Sequence, residues 1–230
     1  MLSSILSSYN ETDNAAFWAN LQLLKKFANV EVLVIDGGSQ DGTLELLKSQ
    51  NVVVMPGTER SQRYNRGLEL ALGERILLIH PRSELSREGL EHLLRLPMAS
   101  GWGAFRHSFD WDRPLLRFTS WYSNFARGRG RGIFYLDHCL FLSADLKPYA
   151  RFPEVGLFED TGFCLGLRSR SWPQLLPYPV VTSAVRFRKN GLVWQSLMNQ
   201  VLKLLFYLGF SEKWMNRVYE KGLALNARSE

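Results

Sequence analysis

Three short β-branched runs, each stopped by turn residues and separated by helix-forming segments, constrain the fold of this chain most. The runs are EVLVI (31–35), NVVVM (51–55) and RILLI (75–79), and they end at Asp-Gly-Gly, Pro-Gly and His-Pro. Segments 41–50 and 60–72 lie between them and carry apolar residues at helical spacing. Strand and helix alternating within fifty residues predict an α/β fold with a mostly parallel sheet flanked by helices. The run SILSS (4–8) supplies a first strand.

The second half of the chain has a different pattern. It contains an aromatic-rich alternating stretch at 100–112, the basic run RGRGRG at 127–132, and further strand candidates at 133–142 and 179–187. We expect the basic run to be a flexible surface loop or a lid that closes on an anion. Neither a repeat nor a long linker divides the sequence. We therefore predict one domain, with a nucleotide-binding half (1–98), an acceptor and catalytic half (99–190) and C-terminal amphipathic helices (191–230).

Composition limits the classes of partner. With 46% hydrophobic and 22% charged residues, the 230-residue chain can bury a core, which excludes a disordered or fibrous protein. Its two cysteines, Cys139 and Cys164, do not make a disulfide scaffold and lack metal-site spacing. A formal net charge of +6 favours phosphorylated small molecules, nucleic acid or an acidic membrane as partners. Since no nucleic-acid recognition motif accompanies the charge, we expect no nucleic-acid partner.

The termini bear on localisation. The N-terminal segment lacks the basic region and apolar stretch of a signal peptide, so we expect a cytoplasmic protein. Segment 192–210 is apolar at helical spacing but is interrupted by polar residues. This helix either packs on the core or lies peripherally on the inner membrane surface, with its aromatic residues at the interface: Trp194, Phe206, Tyr207 and Trp214.

The segment VIDGGSQDGT (34–43) carries the first indication of chemistry. Asp36 follows a hydrophobic strand, and open α/β sheets bind ligands beyond the carboxyl ends of their strands. Gly37 and Gly38 would let a ligand approach the backbone closely. A generic strand-to-helix turn is the alternative interpretation.

Seven segments in register resemble the family 2 glycosyltransferases, which have the GT-A nucleotide-sugar transferase fold, and in particular a short bacterial glycosyltransferase-like subgroup. The matching segments are SSYNE (7–11), VIDGGSQDGT (34–43), ERSQRYNRGLELALGERILLIH (59–80), GAFRHSFD (103–110), YLDHCLF (135–141), FPEVGLFED (152–160) and LLPYPVVTSAVRF (175–187). The resemblance implies an inverting transfer of a hexose or related sugar from a nucleotide-diphosphate donor, most commonly a UDP-sugar. The acceptor implied is a sugar, a lipid or a small molecule.

The resemblance also implies site residues. Those on the donor and nucleotide side are Tyr9, Glu11, Asp36, Gly38, Arg60, Gln62, Asn65, His80 and Arg82. Asp137, His138 and Arg186 match the sugar and acceptor pocket. Glu159 and Asp160 match the catalytic acidic pair, in which Asp160 would be the base that removes the acceptor proton.

Two departures from the family pattern qualify these expectations. The family ends its third strand with an Asp-containing motif that holds Mg²⁺ or Mn²⁺, whereas this chain has His80-Pro81-Arg82-Ser83, a degenerate motif with no metal ligand. Arg82 either pairs directly with the diphosphate, which would make transfer metal-independent, or marks the loss of catalysis. The glycines of TGFCLG (161–166), after Asp160, predict a looser backbone there. The alternatives to an enzyme are a non-catalytic nucleotide-sugar-binding or partner-binding protein and a membrane-surface scaffold.

Overall fold

One eight-stranded sheet runs through the computed structural model, which describes residues 1–48, 50–97, 101–155, 157–210 and 215. The strands are β1 Leu2–Ser8, β2 Val30–Asp36, β3 Val52–Val54, β4 Arg75–Ile79, β5 Ser83–Leu85, β6 Trp102–Phe109, β7 Leu140–Ser143 and β8 Gln174–Thr182. The α-helices are α1 Ala15–Leu24, α2 Thr43–Leu46, α3 Arg60–Leu70, α4 Arg87–Arg95, α5 Pro114–Trp121, α6 Glu159–Arg168, α7 Val185–Asn190 and α8 Leu192–Tyr207. The strand order is β3-β2-β1-β4-β7-β6-β8-β5.

The predicted parallel sheet is confirmed. Strands β3, β2, β1 and β4 are mutually parallel, and β6 and β8 run in the same direction as these four. Only β7 and β5, among the described strands, run the opposite way. The carboxyl ends of six strands therefore meet at one edge, where α/β sheets bind ligands.

Side chains alternate between the two faces of the sheet, and both faces are covered. Ile5, Leu33 and Ile76 pack with Tyr64 of α3 on one face. Leu6 and Val34 pack with Phe17 of α1 on the other. Burial on both sides explains why the strands have continuous apolar sequences, as parallel strands usually do.

Strand predictions for the second half were too long. The run predicted as a strand over 133–142 forms a 3₁₀ turn at Leu136–His138, and only Leu140–Ser143 joins the sheet. Cys139 has a φ of +52°, and this local reversal precedes β7. The run predicted over 179–187 belongs to β8 up to Thr182 and then becomes α7, because Asp110 Oδ1 accepts a hydrogen bond from Ala184 N at 2.7 Å, just before that helix.

Only part of the basic run 127–132 is an exposed surface segment, and the prediction of a flexible loop over the whole run is wrong. It begins inside a π-helix, Tyr122–Arg129, that continues α5. Arg127 and Gly128 are buried, and a Cβ on Gly128 would lie 2.1 Å from the ring of Phe134, so the glycine permits this close packing. Arg129 and Arg131 are exposed, as a surface segment requires.

The glycines after Asp160 do not loosen the backbone. Helix α6 runs through them from Glu159 to Arg168. A Cβ on Gly162 would approach Pro153 to 2.7 Å, and one on Gly166 would approach Tyr149 O to 2.6 Å. Glycine is needed at both positions because α6 packs closely against the preceding segment.

Helix α8 covers one end of the fold. Leu202 packs with Leu157 and Met215, and Phe206 lies 4.7 Å from Phe158 between ring centroids. Among the described residues no helix is long and apolar enough to cross a membrane. The side chain of Tyr207, Trp214 and most of the predicted terminal helix beyond residue 210 lie outside the described part, as does the predicted boundary at 98/99.

Candidate active site

A cavity of about 240 Å³ opens at the carboxyl edge of the sheet. It lies where β4, β6 and β8 end and β7 begins, and the segments that follow those strands supply most of its polar wall. Helix α6 contributes Glu159 and Asp160, and α8 closes the opposite side with Asn199, Leu202 and Lys203. Residues separated by more than 140 positions therefore share one pocket.

A buried ion pair joins α3 to α6 across the pocket. Arg60 Nε donates to Glu159 Oε1 at 2.8 Å, and Arg60 Nη2 donates to the same oxygen. Glu159 exposes 2% of its side chain and Arg60 exposes 21%. Burial alone would lower the pKa of Arg60, but Glu159 and Asp160 raise it above its ordinary value. Arg60 is therefore a permanent cation in the pocket wall.

Asp160 lies beside this pair. Burial, followed by the negative charge of Glu159, raises the pKa of Asp160 well above its ordinary value, although Arg60 opposes the shift. Leu136 N donates to Asp160 Oδ1 at 3.2 Å and fixes the carboxyl group. A carboxyl group with a raised pKa can exchange a proton near neutral pH, as a general base does.

Two arginines contact His80, the residue that follows β4. His80 Nε2 lies 3.5 Å from Arg60 Nη1, and its Nδ1 accepts a hydrogen bond from Arg82 N at 3.2 Å. Burial and then Arg60 and Arg82 lower the pKa of His80 far below its ordinary value, so the ring is neutral. Arg82 and Arg186 are partly buried and line the pocket here.

Asp137 faces two histidines. Its Oδ2 lies 3.7 Å from His107 Nε2, and its Oδ1 lies 3.9 Å from His138 Nε2. Burial raises the pKa of Asp137, but His107, His138 and Arg127 together hold it below its ordinary value. Burial lowers the pKa of both histidines, that of His138 to about 3. Asp137 is thus an ionised carboxylate next to neutral imidazoles.

The proposed nucleoside residues lie apart from the wall of this cavity. Asp36 is buried, and its carboxylate accepts hydrogen bonds from Gly38 N and Ser39 N at 2.8 Å, and from Ser8 Oγ and Ser39 Oγ. The carboxylate therefore holds the turn after β2, with Gly38 at φ +90°. Burial raises the pKa of Glu11, which Asn14 and Arg82 partly offset.

Sequence reasoning missed Arg63, which lies between these groups. Its guanidinium is 6.0 Å from the Tyr9 ring centroid, and a Cβ on Gly37 would lie 2.4 Å from its Nη1. Arg63 also donates to Ser7 Oγ and Thr58 O, both at 2.7 Å.

The side chains of Gln62 and Asn65 form hydrogen bonds that stabilise the structure around α3. Gln62 Oε1 accepts from Glu59 N at 2.9 Å and completes a capping box at the start of α3. Asn65 exchanges two hydrogen bonds with the backbone of Phe152, at 2.8 and 2.9 Å. Both side chains thereby tie α3 to itself or to the segment that leads into α6.

Comparison with known proteins identifies the fold. A sequence profile described as Glycosyl transferase family 2 matches residues 3–101. Residues 3–101 belong to glycosyl transferase family 2. The glycosyltransferase fold extends over the rest of the chain, since Staphylococcus aureus TarS 1–349, solved with UDP-GlcNAc, superposes on 96% of this chain and 71% of its own, with a TM-score of 0.63 and 18% identity.

Two further solved structures share this fold. The mannosyltransferase PcManGT from Pyrobaculum calidifontis, in complex with GDP-Man and Mn²⁺, matches 97% of this chain and 70% of its own, with a TM-score of 0.60 and 18% identity. Glucosyl-3-phosphoglycerate synthase from Mycobacterium tuberculosis, with Mn²⁺ and UDP, matches 91% and 80%, with a TM-score of 0.57 and 16% identity. No curated protein matches the sequence.

The described residues do not fit the divalent metal that the family resemblance implies. Among the described residues, no group of three or more His, Cys, Asp or Glu side chains is placed to hold a metal ion. At the position of the expected aspartate this chain has Arg82, while Glu84 is exposed on β5. A guanidinium repels a divalent cation but pairs with phosphate oxygens.

The structure brings half of the predicted site residues into one cavity. Seven of them line it: Arg60, His80, Arg82, Asp137, Glu159, Asp160 and Arg186. The other seven do not line it: Tyr9, Glu11, Asp36, Gly38, Gln62, Asn65 and His138. His107, Arg127 and Lys203 also line the cavity but were not among the predicted site residues, although the run that contains Arg127 was expected to be a loop or a lid over an anion. Each of these residues lies in a segment whose sequence is also typical of an ordinary strand, helix or loop. Only the tertiary structure shows that its side chain lines the cavity.

Proposed function

We propose that the protein transfers a sugar from a nucleotide-diphosphate donor to an acceptor hydroxyl with inversion at the anomeric carbon. The supporting observation is the cavity in which Asp160 faces a set of arginines at the ligand-binding edge of a family 2 sheet. Titration of Asp160 in the neutral range suits a base that takes the acceptor proton. Tyr9, Glu11, Asp36 and Gly38 are proposed to lie around the nucleoside, with a UDP-sugar as the first donor to test.

Arginine takes the place of the metal in this proposal. The leaving diphosphate develops negative charge, which needs neutralisation in the transition state. Arg60 and Arg82 line the same wall beside the neutral His80, and Arg186 lies within the same electrostatic group. These cations would pair with the diphosphate oxygens, so transfer would proceed without Mg²⁺ or Mn²⁺.

Calorimetric titration with UDP-GlcNAc and GDP-mannose, each with Mn²⁺ and with EDTA, tests the donor site. We expect binding that EDTA leaves unchanged and that Arg82→Ala weakens about ten-fold, the loss of one charge-assisted contact. Arg66→Ala is the control because Arg66 lies on α3 but pairs with Glu69 at the surface. Equal affinity in wild type and Arg82→Ala, or binding that needs Mn²⁺, would contradict the assignment.

Turnover separates this enzyme from a binding protein that has the same fold. Incubation with the donor that binds, followed by detection of the released nucleoside diphosphate, should show hydrolysis or transfer that Asp160→Asn abolishes. Nucleotide binding with no release in wild type would favour the non-catalytic function. A membrane-surface scaffold would instead bind anionic vesicles independently of nucleotide.

A further inference from the structure

Arg127 has hydrogen-bond donors that its surroundings do not use. Its guanidinium lies 3.5 Å from the Tyr135 ring centroid, and Nη2 lies 3.4 Å from His138 Nε2. That nitrogen accepts, because His138 Nδ1 points at Phe105 O, 3.0 Å away, and must carry the proton. Arg127 is only 7% exposed, yet its Nε has no hydrogen-bond partner among the described residues.

Lys203 approaches the same region from α8. Its Nζ lies 5.9 Å from the Tyr122 ring centroid, and the residue lines the cavity. Burial and then Arg127 lower the pKa of Lys203 to about 8, and Asp137 opposes the shift. Within the described residues, neither Lys203 nor Arg127 forms an ion pair with a carboxylate. Among the described residues, the carboxylate of Asp137 is the one negative charge that acts on these two partly desolvated cations, so a bound anion would stabilise them further.

These two cations are separate from the proposed diphosphate arginines. The charges that act on His80 are those of Arg60, Arg82 and Arg186, opposed by Asp137. The charges that act most strongly on Lys203 are those of Arg127 and Asp137. The charge of Asp137 therefore acts on residues of both cationic groups in the cavity. In the first group, Arg60 contacts Glu159 and His80. In the second, Arg127 contacts Tyr135 and His138, and Lys203 belongs to α8.

We propose that Arg127 and Lys203 form a subsite for a phosphate group carried by the acceptor. This inference rests on the proposed function, because the acceptor hydroxyl must reach Asp160 while its phosphate is held by Arg127 and Lys203 in the same cavity. A phosphate offers several acceptor oxygens to the unused guanidinium and ammonium donors. The acceptor is thus a phosphorylated molecule, either soluble or part of a lipid.

The probe for this subsite is inorganic phosphate, followed by ³¹P NMR line broadening with the nucleoside diphosphate present at saturation. Saturation fills the donor site, so the remaining phosphate binding reports the second site. We expect Lys203→Gln to weaken this binding at least about ten-fold, with Lys203→Arg restoring it and nucleotide affinity unchanged. Arg127→Gln should have the same effect, and the lysine variants keep the test decisive if it fails to fold.

Matched controls are Lys189→Gln on α7 and Arg129→Gln at the end of the π-helix, whose side chains are exposed. Equal phosphate binding in wild type and Lys203→Gln would overturn the subsite. So would a parallel loss of nucleotide affinity, because the pair would then belong to the donor site. If no nucleotide binds at all, the proposed function fails, and the same titration without nucleotide still shows whether phosphate depends on Lys203.

Two further probes separate the sources of the phosphate. Glycerol 1-phosphate represents a soluble acceptor, and phosphatidylcholine vesicles with or without phosphatidic acid represent a lipid acceptor. Binding of either that Lys203→Gln abolishes supports the subsite and identifies the source. Failure of both, in a protein that binds nucleotide, overturns it.

Discussion

Replacing Arg60 by methionine removes the only described partner of Glu159 while keeping most of the apolar volume of the side chain. Loss of one member of a buried ion pair costs about 3–5 kcal/mol, because the other charge remains buried and unpaired. Since Arg60 is 21% exposed and Glu159 is 2% exposed, water can relieve part of this cost, and we expect about 3 kcal/mol. For a domain of this size that lowers Tm by about 6–12 °C.

Urea unfolding of a double-mutant cycle measures the interaction. In a Glu159→Gln background, Arg60→Met should cost only about 1 kcal/mol, which leaves a coupling free energy of about 2 kcal/mol. Arg66→Met is the matched control on the same helix, where the exposed pair with Glu69 should contribute below about 1 kcal/mol. A cost for Arg60→Met that equals the Arg66→Met cost, or that is the same in both backgrounds, would refute the reasoning.

The pH dependence of the variant provides an independent check. Burial and Glu159 raise the pKa of Asp160 and Arg60 opposes them, so removal of Arg60 raises it further. A carboxyl group whose folded pKa lies above its unfolded value contributes stability at low pH and loses it as pH rises. The free energy of unfolding that Arg60→Met removes should therefore be smaller at pH 5 than at pH 8. The opposite trend would contradict the assignment.

Two further predictions follow from the site and its support. The raised pKa of Asp160 predicts turnover that increases with pH through the neutral range, so a profile already flat from about pH 5 would exclude Asp160 as the base. Gly166→Ala should lower Tm even though alanine favours helix, because the new Cβ would lie 2.6 Å from Tyr149 O. An increase in Tm would contradict this, since it would show that α6 can move away from Tyr149 without loss of stability.

The order of strands and helices in the first half of the chain could be predicted from short-range sequence patterns. Apolar runs such as RILLI are too short for helices and are punctuated by glycine or proline, and β4 spans Arg75–Ile79 as that pattern predicts. The resemblance to family 2 predicted a site at the carboxyl edge of the sheet and an acidic pair, Glu159 and Asp160, within it. Of the fourteen residues predicted for the site, the seven in the cavity come from segments next to the ends of strands or helices.

The placement of the remaining residues depends on contacts between distant segments. Asn65 was assigned to the donor side, yet its hydrogen-bonding groups are used by Phe152, 87 positions away. Arg127 was expected in a loop because its glycine neighbours favour flexibility, but packing of Gly128 against Phe134 keeps it helical and buried.

The sequence by itself determined the strand and helix order of the first half and the likeness to family 2. These properties depend on residues close together in the chain or on a pattern of spacings. Only the tertiary structure decided that β7 enters the sheet antiparallel between β4 and β6, and that α8 brings Lys203 to Arg127. The energies that fix such arrangements come from burial and charge pairing between distant segments, which no local spacing of residues specifies.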